Sequence, residues 1–521
     1  MRDTPQPNRI PPPSHATPAA RFFQAPNPGR TLPRQLQRTS IFLEPDPARV
    51  VHRPFIPGDK SRVIKVVARI MSLTADEVRE QHGCLEATFD GRHGDLESAF
   101  MQRFADVQDQ LLNDHPLSDE RKALIGAYFT QEYALEAAAL FNPSIVPHPD
   151  QSGVAAGSLR YVMSLRATGE GHISSITFRT GVIDDAGGIT VDDPARCVTA
   201  GTVAKNPSYE RALFLRKLHE LGLDTPWNRD IIGNLSKTFS HGDLTGRIRT
   251  ELDRNRHTTA ADRESAASVI ALARANYELD FPADTDLSER VIFPHSPTEQ
   301  RGIEDARFVD FTEDDGSVTY YGTYTAVDGK AFLPQLITTR DFQHFRISTL
   351  NGDEVQNKGM ALFPRKINGR YVVCSRQDNE NLFLMTSDSV HFWESKQMLM
   401  RPTYPWEFIQ LGNCGSPMET PEGWLLLTHG VGYMRQYCIG AALLDLDDPS
   451  RVIGRLPGPL LAPNAREREG YVPNVVYTCG GLIHGDRLIM PYAVSDQSTS
   501  FATYDLAGLL KELKAANNGS R

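Results

Sequence analysis

Tyr320-Tyr-Gly-Thr-Tyr-Thr325, followed across a polar gap by Leu336-Ile-Thr-Thr-Arg-Asp-Phe342, decides how this chain folds, because the same arrangement returns three more times. Arg370-Tyr-Val-Val-Cys-Ser-Arg376 leads to Leu384-Met-Thr-Ser-Asp-Ser-Val-His-Phe392, and Gly423-Trp-Leu-Leu-Leu-Thr-His429 to Ala442-Leu-Leu-Asp-Leu-Asp-Asp-Pro449. Asp486-Arg-Leu-Ile-Met-Pro-Tyr492 leads to Ala502-Thr-Tyr-Asp-Leu506. Each unit is a turn, an apolar strand, a polar gap and a second strand ending near Asp, and the spacing of roughly 50 to 60 residues suits a four-stranded propeller blade. Asp341, Asp388, Asp445 and Asp505 recur at equivalent places and read as turn formers.

Working outward, Tyr161-Val-Met-Ser-Leu-Arg166 and Ile173-Ser-Ser-Ile-Thr-Phe-Arg179 are β-branched and alternating, and supply a further blade before the repeats. The expectation is a mainly β protein: a five-bladed β-propeller with an N-terminal helical region and a helical insertion between the first two blades. A β-sandwich of similar size is the competing architecture. Helical spacing of Leu96, Phe100, Phe104, Val107 and Leu111, followed by an Ala-rich run from Ser118 to Leu140, marks the N-terminal helices. The insertion is predicted to open with Asn206-Pro207 as cap and first-turn proline, to close its first helix at Gly222, and to hold another helix near Ala261–Tyr277. The predicted divisions are a disordered or extended Pro/Arg-rich tail (1–58), a helical region (59–142), a first blade (143–203), the insertion (204–285), four further blades (286–510) and a C-terminal tail (511–521).

With 521 residues, 40% apolar and 23% charged, the composition is that of a globular protein with a large core, and no apolar run is long enough to span a membrane. A net charge of −10 disfavours nucleic acid as a partner. The cysteines (Cys84, Cys197, Cys374, Cys414, Cys438, Cys479) form neither a disulfide framework nor a zinc pattern, and read as free thiols of a cytoplasmic protein. Gly-x-Ser-x-Gly, Gly-Lys-Ser/Thr and His-Glu-x-x-His motifs are absent.

Blades meeting at an axis bring polar residues at their entrances into one pocket. Those residues are Arg166 and His172, Asp305 and Arg307 in Arg301-Gly-Ile-Glu-Asp-Ala-Arg-Phe308, Lys358, Arg376 with Asp378 and Asn379, His429, Glu469, Asn474 and Asp496. An acid among cations and amides suits an anionic reactant together with a hydroxyl-rich one, since Arg forks and a Lys point charge bind phosphate oxygens well. Taken singly, Asp305 beside Arg307 also fits a structural ion pair. Trp393, Trp406 and Trp424 read as blade-core residues rather than sugar platforms.

Gly302-Ile-Glu-Asp-Ala-Arg307, Leu362-Phe-Pro-Arg-Lys-Ile-Asn-Gly-Arg-Tyr371, Gly415-Ser-Pro-Met-Glu-Thr-Pro-Glu-Gly-Trp424, His429-Gly, Gly440-Ala-Ala-Leu-Leu-Asp-Leu-Asp-Asp-Pro449 and Gly470-Tyr-Val-Pro-Asn-Val-Val476 resemble the signatures of glycoside hydrolase family 130. That family comprises β-mannoside phosphorylases and β-mannosidases on a five-bladed propeller; the likeness covers about 158–202 and 286–506 and leaves out the helical regions. The resemblance implies an inverting reaction in which Asp305 is the general acid, donating through the mannose 3-hydroxyl, while inorganic phosphate attacks the anomeric carbon and gives α-mannose 1-phosphate. It implies that Arg166, Lys358 and Arg376 surround the phosphate and the reacting sugar and that Asn474 and Asp496 contact sugar. A departure lies at Ser375-Arg376, where many phosphorylases carry His-Arg; Arg166, His172, Arg179 and Arg307 are available as further positive charge.

The expectation is therefore a glycoside phosphorylase with no cofactor, phosphate being a co-substrate, acting on a β-mannoside or related oligosaccharide. The helical segments would be interface material for a homo-oligomer. Two rivals stand beside it: an inverting hydrolase using Glu469 or Glu419 as base, and a non-catalytic propeller that binds glycans or proteins.

Overall fold

A computed structural model describes residues 36–518 apart from 90, 112–115, 205–206, 255–258 and 328–331. Most of the predicted N-terminal tail, the expected cap Asn206 and the last three residues of the predicted C-terminal tail lie outside the described residues.

The chain is mainly β, and its large sheets hold four to six strands each. The first is built on Ala139–Pro147, Leu159–Thr168 and Ser174–Ile183, and the second on Gly302–Thr312, Val318–Val327, Phe332–Thr339 and His344–Thr349. The third runs Ala361–Leu362, Tyr371–Ser375, Leu382–Ser387 and Lys396–Met400; the fourth Gln410–Asn413, Gly423–Val431, Tyr437–Leu444 and Val452–Arg455. The fifth carries Val476–Tyr477, Arg487–Val494 and Ser498–Asp505.

These strands read as continuous apolar runs because both faces are covered. Successive side chains of a strand point to opposite faces, so Val373 joins a core with the second sheet (Phe311, Tyr321) while Val372 and Cys374 join one with the fourth (Trp424, Leu426). In the same way Leu425 and Leu427 meet Leu488 and Met490 of the fifth sheet, whereas Ile489 and Phe501 pack on Met163 and Leu165 of the first. The first sheet meets the second through Phe178, Phe308 and Phe342. Trp393 and Trp424 are fully buried in these cores, each indole N–H donating to a backbone carbonyl, of Val390 and Leu446. Among the recurrent aspartates, Asp341 and Asp445 accept from the backbone N–H groups two and three residues on, Asp505 accepts from the N–H of Gly508, and Asp388 instead pairs with Arg370.

Several expected boundaries differ. Strand Gln37–Leu43 pairs antiparallel with Ser498–Asp505, so part of the predicted tail is the outer strand of the fifth sheet. Its alternation turns Ile41 and Leu43 towards the core shared with the first sheet, and Arg38 reaches Glu467 at 2.8 Å. The N-terminal helices Lys60–Met71, Ala75–Phe89, Leu96–Val107 and Asp119–Tyr128 share one apolar core, but the last stops at Tyr128 instead of running to Leu140. Thr130–Ala134 pairs with Val50–Pro54, and Ala139–Pro147 is buried almost throughout in the first sheet, so strand pairing and burial override the helix propensity of the alanines that lead into it. The first sheet therefore begins before residue 143.

The insertion contains helices Arg211–Glu220, Pro226–Gly233, His241–Arg254 and Ala260–Arg274 around their own core. Pro207 precedes a short strand, Ser208–Glu210, rather than occupying a helical first turn; the first-turn proline is Pro226, behind the Thr225 cap. The last helix ends at Arg274, and Tyr277–Asp280 is a strand paired with His344–Thr349 and Thr202–Val203, so the insertion is spliced in through the outer edge of the second sheet. The described part of the predicted C-terminal tail, 511–518, lies within helix Leu506–Asn518, where leucines at helical spacing (Leu509, Leu510, Leu513) are buried against the fourth and fifth sheets. Among the described residues no helix is long and apolar enough to cross a membrane.

Candidate functional site

Strand Gly302–Thr312 does not run straight into the site. Its register with the next strand slips between Glu304 and Arg307, and in that bulge Asp305 takes a left-handed backbone, φ 55°. Gly302 opens the same strand at φ 122°, where a Cβ would lie 2.6 Å from Ser174 Oγ; only glycine fits this approach to the first sheet.

The first sheet answers with a bulge of its own. Between Phe141 and Ser144 the register slips, Asn142 adopts φ 50°, and its Nδ2 donates to Asp305 Oδ1 at 2.6 Å. Arg166, from the neighbouring strand, donates to Glu304 Oε1 at 2.8 Å and to Asp305 Oδ1 at 3.3 Å, with its guanidinium over the Phe141 ring. Lys358 Nζ reaches the other Glu304 oxygen at 3.2 Å. Glu304 is thus engaged by two cations, and Asp305 by the Arg166 guanidinium and, at the shorter distance, the Asn142 amide.

These groups line a cavity of about 770 Å³ that also receives Arg376, Asn379, Gln410, His429, Arg435, Tyr437, Tyr477 and Asp496. Asn379, Arg435 and Asp496 carry left-handed φ values of 64°, 54° and 50° in loops between strands. Such conformations cost free energy, are best tolerated by Asn and Asp, and persist where the surroundings fix them.

Of the residues singled out from the sequence, Arg166, Asp305, Lys358, Arg376, Asn379, His429 and Asp496 line this cavity. Arg307 is buried beside it, donating to the carbonyls of Asp305 and Cys414 and to the Tyr477 hydroxyl. His172 lies outside the lining, with Nδ1 2.9 Å from the Tyr471 hydroxyl. Glu469 is exposed and outside the lining, and Asn474 contributes its backbone carbonyl to the Tyr437 N–H at 3.0 Å. Asn142, Gln356, Gln410, Arg435, Tyr437 and Tyr477 were not singled out; for Asn142 a signal existed, since Asn-Pro inside an apolar strand marks a bulge.

Charge is unevenly compensated. Burial favours the neutral acid at Asp305, but Arg166, Arg307, Lys358 and the Asn142 hydrogen bond outweigh it and hold the carboxyl at about 2. Asp496 goes the other way: burial and then the nearby Asp305 charge raise it to about 7. Arg376 makes no ion pair among the described residues; its guanidinium donates to His429 Nε2 at 3.2 Å and its Nε has no hydrogen-bond partner. Burial, then Arg376 and Arg307, push His429 well below the usual histidine range, so its ring is neutral and Nε2 is the acceptor. Ser375 faces away, its hydroxyl 3.0 Å from Met385 Sδ. Among the described residues no group of three His, Cys, Asp or Glu is arranged to hold a metal ion.

The family profile described as beta-1,4-mannooligosaccharide phosphorylase, glycoside hydrolase family 130, matches residues 262–515. A beta-1,2-mannobiose phosphorylase from Listeria innocua is 31% identical over 257 residues, spanning 48% of this chain and 70% of that relative. The chain belongs to glycoside hydrolase family 130. A second family 130 relative, a 1,2-beta-oligomannan phosphorylase from Thermoanaerobacter, is 34% identical over 226 residues, 42% of this chain and 74% of its own. The crystal structure of the Listeria innocua enzyme with beta-1,2-mannobiose superposes with a TM-score of 0.44 at 22% identity, covering 73% of this chain and 92% of that one. The family match begins within the helical insertion and takes in Asp305, Lys358, Arg376, His429 and Asp496, while Asn142 and Arg166 precede it.

Proposed function

We propose that this family 130 protein is an inverting glycoside phosphorylase that cleaves a β-mannoside with inorganic phosphate. In this reading the large sheets are the blades of a five-bladed propeller: each packs on the next, the fifth packs on the first, and Gln37–Leu43 completes the last blade. The cavity is lined by strand residues and connecting loops from all five of these sheets, as a pocket on a propeller axis would be.

Asp305 is the proton donor, acting on the glycosidic oxygen through a hydroxyl of the bound sugar. The C1–O bond breaks, an oxygen of phosphate bonds to C1 from the opposite face, and the products are α-mannose 1-phosphate and a shortened sugar. The proton balance closes within the reactants: the hydrogen carried by HPO4²⁻ replaces the one that Asp305 passes to the leaving group. A resting Asp305 carboxylate is compatible with this, because a phosphate dianion beside Arg166 and Lys358 offsets the positive field that keeps the acid ionised.

The observation that carries the reading is Arg376, a buried guanidinium in the same cavity as Asp305 with no carboxylate partner among the described residues and with neutral His429 at its side. A buried cation without a counter-ion suits an anionic co-substrate. Hydrolysis instead requires a second carboxylate as base, about 6.5–9.5 Å from the acid. Neither acid expected for it supports that route: Glu469 is exposed, and Glu419 is held by Arg365 at 2.8 Å on both oxygens and lines a different cavity. The test is incubation with β-mannobiose with and without phosphate. Formation of mannose 1-phosphate only when phosphate is present is expected; free mannose released equally in its absence would refute the assignment.

A further inference from the structure

The helical insertion forms an open pocket of about 310 Å³ against the second and third sheets, and it shares no lining residue with the larger one. Lys217, on helix Arg211–Glu220, is 2% exposed at its wall. Its ammonium donates to Asn276 Oδ1 at 2.7 Å and to the Thr349 carbonyl at 3.1 Å, both neutral acceptors, and among the described residues it has no carboxylate partner. An ammonium has three donors, so one remains for an occupant of the cavity.

Arg346, from strand His344–Thr349, and His391, from the turn after Leu382–Ser387, line the same space. Burial, then Arg346, lowers Lys217 to about 7; burial, then Lys217 and Arg346, lowers His391 to about 4. Of the acids at the wall, Glu278 lies 3.9 Å from Arg346 and Glu210 is exposed. Two of these basic groups thus give up charge for want of a counter-ion, in a cavity also furnished with the hydroxyls of Ser208, Ser348 and Ser389. Tethering the helix to Thr349 explains the two bonds of Lys217; it does not explain why the His391 imidazole and the solvent-exposed Arg346 guanidinium, from other elements, line the same pocket.

We propose that this cavity is a binding site for a phosphate-bearing small molecule, inorganic phosphate or a sugar phosphate, held by Lys217, Arg346 and His391. Several acceptor oxygens on one tetrahedral anion would take donors from all three, and the volume is of the size that holds small ligands. Occupancy would pin the insertion to the second and third sheets. The site stands apart from the phosphorolysis proposed for the larger cavity and does not depend on it.

The test is equilibrium dialysis of the full chain against labelled inorganic phosphate and, separately, labelled glucose 6-phosphate. Binding that persists in Arg376→Ala and disappears in Lys217→Met is expected, with turnover of Lys217→Met retained. If Lys217→Met fails to fold, Ser389→Asp, which places a negative charge at the wall, must abolish the same binding. Saturation by glucose 6-phosphate but not by inorganic phosphate identifies the sugar ester as the ligand, and the reverse identifies free phosphate. Loss of all binding in Arg376→Ala, or survival of all of it in Lys217→Met and Ser389→Asp, overturns the proposal.

Discussion

Asn142 donates to Asp305 across 2.6 Å, and the two residues reach each other from bulges in adjacent sheets, each with a left-handed backbone. Neither bulge alone places a side chain usefully. Together they aim a carboxyl and the amide that holds it at one point, 163 residues apart in sequence.

Removing the proton tests that arrangement most directly. Asp305→Asn keeps the shape and the backbone preference but cannot donate a proton, and general-acid catalysis contributes about 10²–10⁴-fold, so kcat should fall by that order; the melting temperature at neutral pH should fall modestly as well, because the ionised carboxyl stabilises the fold among Arg166, Arg307 and Lys358. Asn142→Gly keeps the backbone freedom and deletes the hydrogen bond; a charge-assisted bond of about 1.5–3 kcal/mol predicts a loss of roughly 10–100-fold in kcat/KM. Steady-state kinetics beside thermal melts separate both outcomes from misfolding.

Arg376 should report on phosphate. Arg376→Ala is expected to raise the KM for phosphate by roughly 10–100-fold while moving the KM for the β-mannoside far less, because the lost donors are charge-assisted contacts to an anion. Arg376→Lys restores the charge without the fork and should recover only part of the loss. An unchanged phosphate KM in Arg376→Ala would return this guanidinium to a structural role beside His429.

How much of this was legible in the sequence follows from which interactions are local. The repeated strands could be read from apolar runs between turn residues, because burial on both faces leaves a pattern within each strand: Val372, Val373 and Cys374 serve two cores in three positions. Asp305 could be found because its glycine and acids are contiguous, and Gly302 is required by its approach to Ser174. The outer strand Gln37–Leu43 was missed because its partner lies at the opposite end of the chain. Arg435 and Tyr437 were missed for a related reason: Arg435 enters the cavity from the loop before strand Tyr437–Leu444 and Tyr437 from that strand's first position, and neither belongs to a local motif. Alanine content misled between Thr130 and Leu140, where pairing with Val50–Pro54 and then burial in the first sheet decided the outcome.

The acid pair gives a pH prediction with opposite signs. Asp305, held at about 2 against an ordinary value of 3.8, contributes stability that is present above pH 4 and is lost as the pH falls towards 2. Asp496, raised to about 7, favours the folded state while protonated; that contribution is complete below pH 4 and is lost as the pH rises through 7. Asp496→Asn should therefore melt higher than the parent at pH 8, on the order of 2–5 °C, and with the parent at pH 4. Equal melting temperatures at both pH values would mean that Asp496 ionises without penalty.

The N-terminal strand makes a prediction about the whole assembly. Gln37–Leu43 covers the edge of Ser498–Asp505, and its inward Ile41 and Leu43 lie on the core shared by the first and fifth sheets, while Arg38 meets Glu467, which also accepts from Tyr492. Deleting residues 1–43 exposes an unpaired strand edge and removes apolar cover at once; bare edges invite pairing between chains. The truncated protein should melt several degrees lower and aggregate on heating. Ile41→Asp, which keeps the backbone pairing but places a charge against the core, should reproduce the loss of stability, by about 2–4 kcal/mol, with much less aggregation. Light scattering recorded during thermal melts distinguishes the two contributions: if both variants aggregate equally, the strand acts through its apolar side chains and not by capping the sheet.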